Sequence, residues 1–539
     1  ELRFTNHSTY TPAIVVRSVG PAGGPVTALE WNGDAMSVND RWSLQVTPSP
    51  AGVSLGDENS DGWMTAQSAA TTWQGHSGWG YARLTLPPPM PGMATEYRLV
   101  LSDSRIPMEA MHRWYKPVPQ QIRLHLPDSR FQASMDAQVT HLMMGLVAGE
   151  TRPGDPALFH RAWQRQGAYI VSALARSGGT QASRVLSQFL ATHDFGGGAG
   201  PEADAPGLSI WALTEAADYT ADHWHDQWLW PHIVRKTQRI EDMLEARAPL
   251  IEPFSIPSPY DLQHGQQVRT ALLAQPSQDG LIVGRVGSEW PSYYVNAVSY
   301  RGLLAAAEFA ERLGKHRQAT SWRARAETLQ GNWERRTLNS RPKTGISTIR
   351  FDPPHHPDFR LRDLAQPMTT LRPSDENESM ATQLAHAHQA LREGRPDDVW
   401  KTLRRLWDSQ ASPGLYTWDG PRPAAAEVAD GWQYARGWHD PATVSPDYET
   451  AALLLLLQQD MLAYLDHTGT EPAVVIGAGM TTSWLPQAMS ASGLALPGGS
   501  ISWQWDGQAM RVTLHGPSRA IRLGPAFPPH AELLVTRTE

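Results

Sequence analysis

The sequence predicts a multidomain α+β protein in which a helical barrel lies between two β-domains. Short alternating or β-branched runs fill roughly the first 125 residues and return after about residue 470, whereas the stretch between them has a helical period. The chain of 539 residues is long enough for three to four domains, and its hydrophobic fraction of 41% is ample for a core. We therefore expect domains over 1–128, 129–468 and 469–539.

The first domain is predicted to be an antiparallel β-sandwich. Its candidate strands alternate apolar and polar residues or are rich in β-branched residues, and clusters of Gly and Pro such as Gly20–Pro25 separate them. The clearest runs are Ala13–Arg17, Trp42–Val46, Tyr81–Leu86 and Glu96–Leu101.

Ten helices are predicted between about residues 130 and 467. One of them carries Tyr300, Leu303, Leu304, Ala307 and Ala310 on a single stripe. Helices joined by alternating long loops, without a repeat of fixed length, favour a closed helical barrel over a solenoid. The predicted helices are Ser134–Ala148, Gln166–Ser177, Ala182–Thr192, Gly207–Tyr219, Gln227–Leu244, Tyr293–Leu313, Ala319–Arg335, Ser379–Leu391, Asp397–Ser409 and Asp447–Leu465.

Strand patterns return in the last 70 or so residues and predict a small terminal β-domain. The runs are Val474–Ile476, Ile501–Trp505, Met510–Leu514, Ala520–Leu523 and Glu532–Thr536.

Composition excludes several classes of protein. A formal net charge of −8 argues against nucleic acid or an anionic membrane as the main partner, because both need clustered positive charge. The absence of cysteine excludes disulfide scaffolds, zinc–thiolate sites and thiol nucleophiles. The longest apolar run, Ala451–Leu457, is too short to span a membrane.

The 22 Trp, many beside Gly, Pro, His or Asp, suggest sugar stacking, although indoles also fill large cores.

Glu289 is the first candidate catalytic carboxylate. It stands between glycines and Trp290-Pro291, and an indole wall can raise the pKa of a carboxylic acid until it stays protonated near neutral pH. Pro291 also indicates a helix start, which favours the ionised form. The local sequence is equally compatible with a general acid and with an ordinary helix-start carboxylate.

A second carboxylate is expected before the last helix, where Glu427, Asp430, Asp440 and Glu449 compete for the role of base. A base must be ionised and must hold a water molecule, which suits a polar loop lined by Trp better than a helix. Glu449 precedes a run of leucines, where a carboxylate is more often part of a structural ion pair. Glu427 is our choice among the four.

Several motifs resemble those of glucoamylase-like six-hairpin glycoside hydrolases. Trp163–Tyr169 resembles their Trp-x-Arg-Asp-x-x-Tyr motif, and Gly207–Leu213 with Trp230-Pro231 is similar to their fourth and fifth helices. Tyr294–Tyr300 resembles their sixth helix, and Gly414–Trp418 a loop of their substrate site. The flanking β-domains are also similar to those of α-L-rhamnosidases and bacterial glucoamylases.

The resemblance implies an (α/α)6 barrel with the general acid between helices five and six and the base just before the last helix. Those places fit Glu289 and Glu427. It also implies a sugar site formed by Trp163, Arg165, Gln166, Trp290, Tyr293, Tyr416, Trp418, Trp432 and Trp438.

One position departs from the family pattern. Gln166 stands where the motif has Asp after its Arg, and in glucoamylases that Arg–Asp pair holds hydroxyls of the terminal glucose. A neutral amide donates and accepts hydrogen bonds but forms no charge-assisted bond. The change weakens the case for glucose specificity and leaves a different sugar, internal cleavage or an engineered substitution.

The predicted function is therefore cleavage of a glycosidic bond in an oligo- or polysaccharide by an inverting mechanism. The alternatives are a polysaccharide lyase or sugar epimerase on the same barrel, or a non-catalytic glycan-binding protein. No metal or organic cofactor is expected, because the His pairs at His223/His225 and His355/His356 lack further ligands at suitable spacing. The first residues carry no charged-then-apolar leader, and we expect a periplasmic or secreted protein.

Overall fold

The computed structural model describes most of the chain, which folds into two compact units. One unit lies within residues 1–117, and the other contains the described residues from 122 onward. The described residues are 2–6, 10–17, 25–58, 70–90, 93–103, 122–147, 150–154, 163–196, 200–253, 270–287, 290, 292–339, 380–421, 443–466 and 472–538.

The N-terminal unit consists of two antiparallel sheets. Six strands pair in the order β1-β9-β5-β4-β3-β7, and three pair in the order β2-β8-β6. Leu44 and Tyr97 of the first sheet share one apolar core with Leu55 and Leu84 of the second, because alternate side chains of each strand point inward. The strands are β1 (Leu2–Asn6), β2 (Ala13–Arg17), β3 (Ala28–Trp31), β4 (Ala35–Val38), β5 (Trp42–Thr47), β6 (Gly52–Asp57), β7 (Thr72–Gln74), β8 (Gly80–Thr85) and β9 (Thr95–Asp103).

Ten α-helices are found in the described part of the second unit, one at each place where the sequence predicts a helix. Their ends lie within a few residues of the predicted ends. They are α1 (Arg130–Met144), α2 (Gln164–Arg176), α3 (Thr180–Thr192), α4 (Ala205–Thr220), α5 (His223–Leu244), α6 (Ser292–Arg312), α7 (His316–Asn339), α8 (Met380–Arg392), α9 (Pro396–Asp408) and α10 (Tyr448–Leu462).

The helices pack in an alternating pattern. Helices α10, α2, α4 and α6 follow one another side by side, and α8 packs against α10. Each intervening helix packs against the helix that precedes it, as α3 does on α2, α5 on α4, α7 on α6 and α9 on α8. The side-by-side helices are therefore buried on most faces, and every residue of α10 is buried.

Helices α4 and α6 cross closely at two glycines. A Cβ added at Gly302 would lie 2.7 Å from the Cα atom of Gly207, and one added at Gly207 would lie 2.6 Å from the carbonyl oxygen of Val298. Any larger residue would push the two backbones apart, because packed interiors leave no free volume. This contact holds the first turn of α4 against α6.

An antiparallel sheet precedes α6, where the sequence predicts only a long loop between the fifth and sixth helices. It consists of β13 (Leu250–Pro253), β14 (Thr270–Gln278) and β15 (Leu281–Gly284). Asp279 and Gly280 join the last two strands with φ of 55° and 71°. Asp-Gly is a preferred pair for such tight hairpin turns, so this signal was present in the sequence.

The remaining strands form further sheets in the second unit. β10 (Arg123–His125) joins a five-stranded sheet in the order β10-β20-β21-β22-β24, and β18-β19-β23 form a smaller one. Residues of these sheets share a single apolar core with the helices. The strands are β11 (Leu146–Val147), β12 (Glu150–Thr151), β16 (Gly420–Pro421), β17 (Thr443–Val444), β18 (Ala463–Asp466), β19 (Ala473–Ile476), β20 (Met489–Leu496), β21 (Gly499–Trp505), β22 (Ala509–His515), β23 (Ala520–Leu523) and β24 (Glu532–Thr538).

The fold is thus mixed α+β, with helices and mostly antiparallel sheets. Among the described residues, no helix is both long enough and apolar enough to cross a membrane.

Candidate functional site

The N-terminal ends of four helices meet at one place in the second unit. Arg165, in the first turn of α2, donates from Nε to Oδ2 of Asp204 over 2.7 Å. Asp204 is the residue that precedes α4, and its Oδ2 also accepts a hydrogen bond of 3.1 Å from the hydroxyl of Tyr294 in the first turn of α6. Helix N-termini carry positive partial charge, so they favour carboxylates at this place.

Glu202 is the second carboxylate bound by Arg165. Its Oε2 accepts a bond of 2.6 Å from Nη2 of Arg165, and its Oε1 accepts one of 2.9 Å from the backbone N–H of Gly287. Arg285 strengthens the same connection, because its guanidinium donates to the carbonyl oxygens of Pro201 and Gly287. The chain that leaves β15 is therefore held against the segment that begins α4.

Burial changes the pKa values of Glu202 and Arg165. Glu202 is 6% exposed, and desolvation raises its pKa to about 7 although Arg165 lies beside it. Burial alone would lower the pKa of Arg165, but Asp204 and Glu202 raise it well above its ordinary value. Arg165 therefore stays charged, while Glu202 gains or loses a proton near neutral pH.

This shift predicts a pH-dependent stability difference between the wild type and Glu202→Gln. Between pH 4.5 and about 7, the native protein keeps a proton that the unfolded chain releases, so the free energy of unfolding of the wild type falls as pH rises. The variant lacks this titration. At about 1.4 kcal/mol per pKa unit, the wild type should lose up to about 3 kcal/mol relative to the variant across this window.

Urea unfolding at several pH values measures the difference, with Glu327→Gln on the exposed face of α7 as the control that should show no such trend. If the free energy of unfolding of the wild type rises with pH relative to that of the variant, the raised pKa of Glu202 is contradicted.

The first turn of α2 also reaches α10. Gln166 is buried beside Arg165, and its Nε2 donates to Oε2 of Glu449 over 2.9 Å. Asp447 caps α10 and accepts hydrogen bonds from the backbone N–H groups of Glu449 and Thr450. The Gln166 amide therefore supplies a donor to a carboxylate, whereas a second carboxylate at its position would repel Glu449.

The segment predicted to carry the base begins and ends at one short ladder. Gly420 of β16 pairs with Val444 of β17, and Pro421 pairs with Thr443. The backbone N–H of Asp447 donates to the carbonyl oxygen of Trp418 over 3.0 Å, which ties this ladder to the start of α10. The two strands that flank residues 422–442 along the chain are therefore tied to the start of the helix that carries Glu449.

Both predicted catalytic residues, Glu289 and Glu427, lie outside the described residues. So do the alternative bases Asp430 and Asp440, and the predicted sugar contacts Trp432 and Trp438. Their roles stay predictions.

The other predicted sugar-binding residues differ in exposure. Trp290 is 40% exposed, whereas Trp163 and Tyr416 are partly buried. Trp418 is 1% exposed and donates from Nε1 to the carbonyl oxygen of Leu406 over 2.8 Å, which is the environment of a core residue. Tyr293 lies in the first turn of α6. Arg165 and Gln166 are bound by carboxylates, as given above.

Sequence reasoning missed Glu202, Asp204 and Tyr294 as members of this group. The available signal was Glu202-Ala-Asp204 immediately before Pro206, since acidic residues and Pro mark a helix start. That signal indicates a cap and says nothing about a partner 37 residues away along the chain. Among the described residues, no group of three or more His, Cys, Asp or Glu is arranged to hold a metal ion.

No family model matches the chain, and no curated protein matches it. Among solved structures, the chain is similar to a GH78 family rhamnosidase of Bacillus sp. GL1 with 13% identity and a TM-score of 0.48, over 98% of this chain and 54% of that one. It is similar to a bacterial glucoamylase complexed with acarbose with 10% identity and a TM-score of 0.40, over 80% of this chain and 74% of that one.

A Streptomyces avermitilis α-L-rhamnosidase complexed with L-rhamnose is also similar, with 12% identity and a TM-score of 0.41, over 92% of this chain and 48% of that one. The chain spans about half the length of these two rhamnosidases. All three structures are of glycoside hydrolases, from the two groups that the sequence motifs resemble.

Proposed function

We propose that the protein is a glycoside hydrolase that cleaves an oligo- or polysaccharide with inversion, with Glu289 as general acid and Glu427 as general base. In this proposal the helices form an (α/α)6 barrel. Helices α8, α10, α2, α4 and α6 belong to its inner ring, and α3, α5, α7 and α9, each packed on the helix before it, belong to its outer ring.

The proposal rests on the hydrogen bonds made by two neighbouring residues of α2, Arg165 and Gln166. Arg165 contacts Glu202, which binds the N–H of Gly287 two residues before Glu289. Gln166 contacts Glu449 in the helix that follows the segment carrying Glu427. The described contacts next to the two candidates along the chain thus lie at the same end of the helices, which supports an acid and a base acting on one bond.

The surroundings suit the two roles differently. Trp290 follows Glu289 directly, and an apolar indole disfavours the charged form of a neighbouring acid. Glu427 belongs to a polar segment that also contains Trp432 and Trp438, and such surroundings suit a base, which must be ionised and hold a water molecule. In the proposed reaction Glu289 protonates the leaving oxygen, while Glu427 takes a proton from the water that attacks the anomeric carbon from the opposite face.

Buried acceptors also mark this end of the helices. Within the described part of the chain, Oδ1 of Asp204 and Oε1 of Gln166 are buried and have no hydrogen-bond partner. An acceptor of this kind is costly to leave unpaired in a packed interior, and a sugar hydroxyl is a donor that could pair with it. Trp290, 40% exposed, offers an indole face on which a sugar ring can stack.

The mass of the products tests the reaction class. The protein is incubated with a panel of bacterial and plant glycans, and released reducing ends are analysed by mass spectrometry. A hydrolase adds one water to each bond that it cleaves. An unsaturated sugar would identify a lyase, an isomer of unchanged mass an epimerase, and no change in any glycan would leave a binding protein.

A further inference from the structure

The first turns of α5 carry aromatic side chains on the surface of the second unit. Trp224 is 83% exposed and Trp228 is 38% exposed. They are four residues apart on one helix, so they share a face with Cβ atoms about 5–6 Å apart. Gln227 and Pro231 are exposed on the same face. We call Trp224, Gln227, Trp228 and Pro231 the Trp stripe.

The orientation of the stripe is set by its neighbours. The ring of Trp228 stacks on His225 with centroids 5.6 Å apart and contacts His232 with centroids 4.7 Å apart. Asp222 caps the helix by accepting from the N–H groups of Trp224 and His225. A side chain held in this way loses little freedom on binding, which lowers the entropic cost of recognition.

The stripe is uncharged. None of its four side chains is ionisable, and burial lowers the pKa of the adjacent His225 to about 4, so this imidazole is neutral at pH 7. Asp226 is 7% exposed, and Arg184 is paired with Asp222. Nucleic acid and anionic membranes are bound through exposed cations, so a surface of this kind does not suit them.

The stripe is also small. A stable protein interface needs about 800 Å² and 20–30 residues on each partner, whereas this surface offers two indoles with an amide and a proline. A sugar ring needs only one aromatic face and a few hydrogen-bonding groups, which the indoles and the Gln227 amide supply.

The stripe lies far from the proposed catalytic centre. Asp226 faces Arg312 at the C-terminal end of α6, with Oδ1 and Nη2 3.5 Å apart. Tyr294 lies in the first turn of that 21-residue helix, and a rise of about 1.5 Å per residue separates the two ends by about 30 Å.

We propose that the Trp stripe is a second, non-catalytic binding site for an uncharged glycan chain. This inference rests on the proposed function, because it extends the glycan substrate to a surface remote from the reacting bond. The site would hold a polymeric substrate on the enzyme between cleavage events, and it would make no difference to short oligosaccharides that cannot reach both places.

Affinity electrophoresis tests the proposal. Native gels are cast with soluble starch, xyloglucan or galactomannan as neutral probes, and with polygalacturonate as the anionic probe. At least one neutral polysaccharide should slow the wild type. Trp224→Ala and the double variant Trp224→Ala/Trp228→Ala should lose this retardation, with the double variant showing an approximately tenfold higher dissociation constant from two lost stacking contacts.

The single variant Trp224→Ala is expected to fold normally, because the Trp224 side chain is almost fully exposed and its removal loses little packing. Tyr10→Ala is the matched control, since Tyr10 is 81% exposed in the N-terminal unit and should leave the retardation unchanged. Retardation by polygalacturonate alone, undiminished retardation of the double variant, or no retardation of the wild type in any gel would overturn the proposal. A wild-type dimer that the double variant converts to a monomer would also overturn it, because the stripe would then bind a second copy.

Hydrolysis measured in parallel separates the two proposals. If short oligosaccharides are cleaved but no polysaccharide retards the protein, the Trp stripe is not a binding site and the proposed hydrolase activity stands. If retardation depends on Trp224 but no glycan is cleaved, the Trp stripe is a glycan-binding site and the proposed hydrolase activity is wrong.

Discussion

Replacing Glu289 by Gln is expected to lower hydrolysis about 10²–10⁴-fold, the usual loss when a general acid is removed. The amide keeps the shape of the side chain, so KM should change little while kcat falls. The measurement is the release of reducing ends from whichever glycan the product screen identifies. Glu327→Gln on α7 is the matched control, because it removes one exposed carboxylate and should leave the rate unchanged.

Glu427→Gln should lower the rate over the same range through loss of the base. A substrate with an excellent leaving group needs little protonation, so it should restore activity to the Glu289 variant much more than to the Glu427 variant. Near-normal turnover by Glu427→Gln would transfer the base role to Asp430, Asp440 or Glu449. Full activity in both variants would remove the assignment altogether.

Geometry gives an independent criterion for the same pair. An inverting enzyme holds a water between the sugar and the base, so its two carboxyl groups lie about 6.5–9.5 Å apart, against about 5–5.5 Å in a retaining enzyme. An experimental structure with bound glycan should show the longer separation between Glu289 and Glu427.

The helices could be predicted from the sequence because their signal is local. In α6, the residues Leu303, Ala307 and Ala310 face the core at helical spacing, and each is almost fully buried. The same period does not distinguish the inner from the outer helices. Only the fully apolar turn around Leu453–Leu457 indicates that α10 is buried on every side.

The group around Arg165 could not be predicted, because it depends on contacts between distant parts of the chain. Arg165 is a plausible sugar ligand in the sequence, yet in the structure its guanidinium is bound by Glu202 and Asp204. Spacing along the chain does not reveal such a partnership. The pKa of Glu202 depends on burial, which the sequence also leaves open at a helix start.

The second large effect concerns a buried ion cluster at the other end of α2. Arg176, in its last turn, donates from Nη1 to Oδ1 of Asp460 over 2.8 Å and also pairs with Glu215. Oδ2 of Asp460 contacts Nε2 of His388 at 2.9 Å and Nη2 of Arg392 at 3.1 Å. Asp460 thus connects α2, α8 and α10, and its side chain is fully buried.

Asp460→Asn is therefore expected to lower the free energy of unfolding by about 3–5 kcal/mol, the usual cost of removing one partner from a buried ion pair. The amide keeps the volume of the side chain but removes the charge that neutralises Arg176 and Arg392, and its nitrogen must face cationic donors. Asp242→Asn is the matched control, because Asp242 makes exposed contacts, an ion pair with Arg239 and a hydrogen bond from Gln238, and exposed ion pairs contribute about 0–1 kcal/mol. Urea unfolding followed by far-ultraviolet circular dichroism reports on the helices, and unfolding of both variants at the same urea concentration would show that Asp460 does not hold these three helices together.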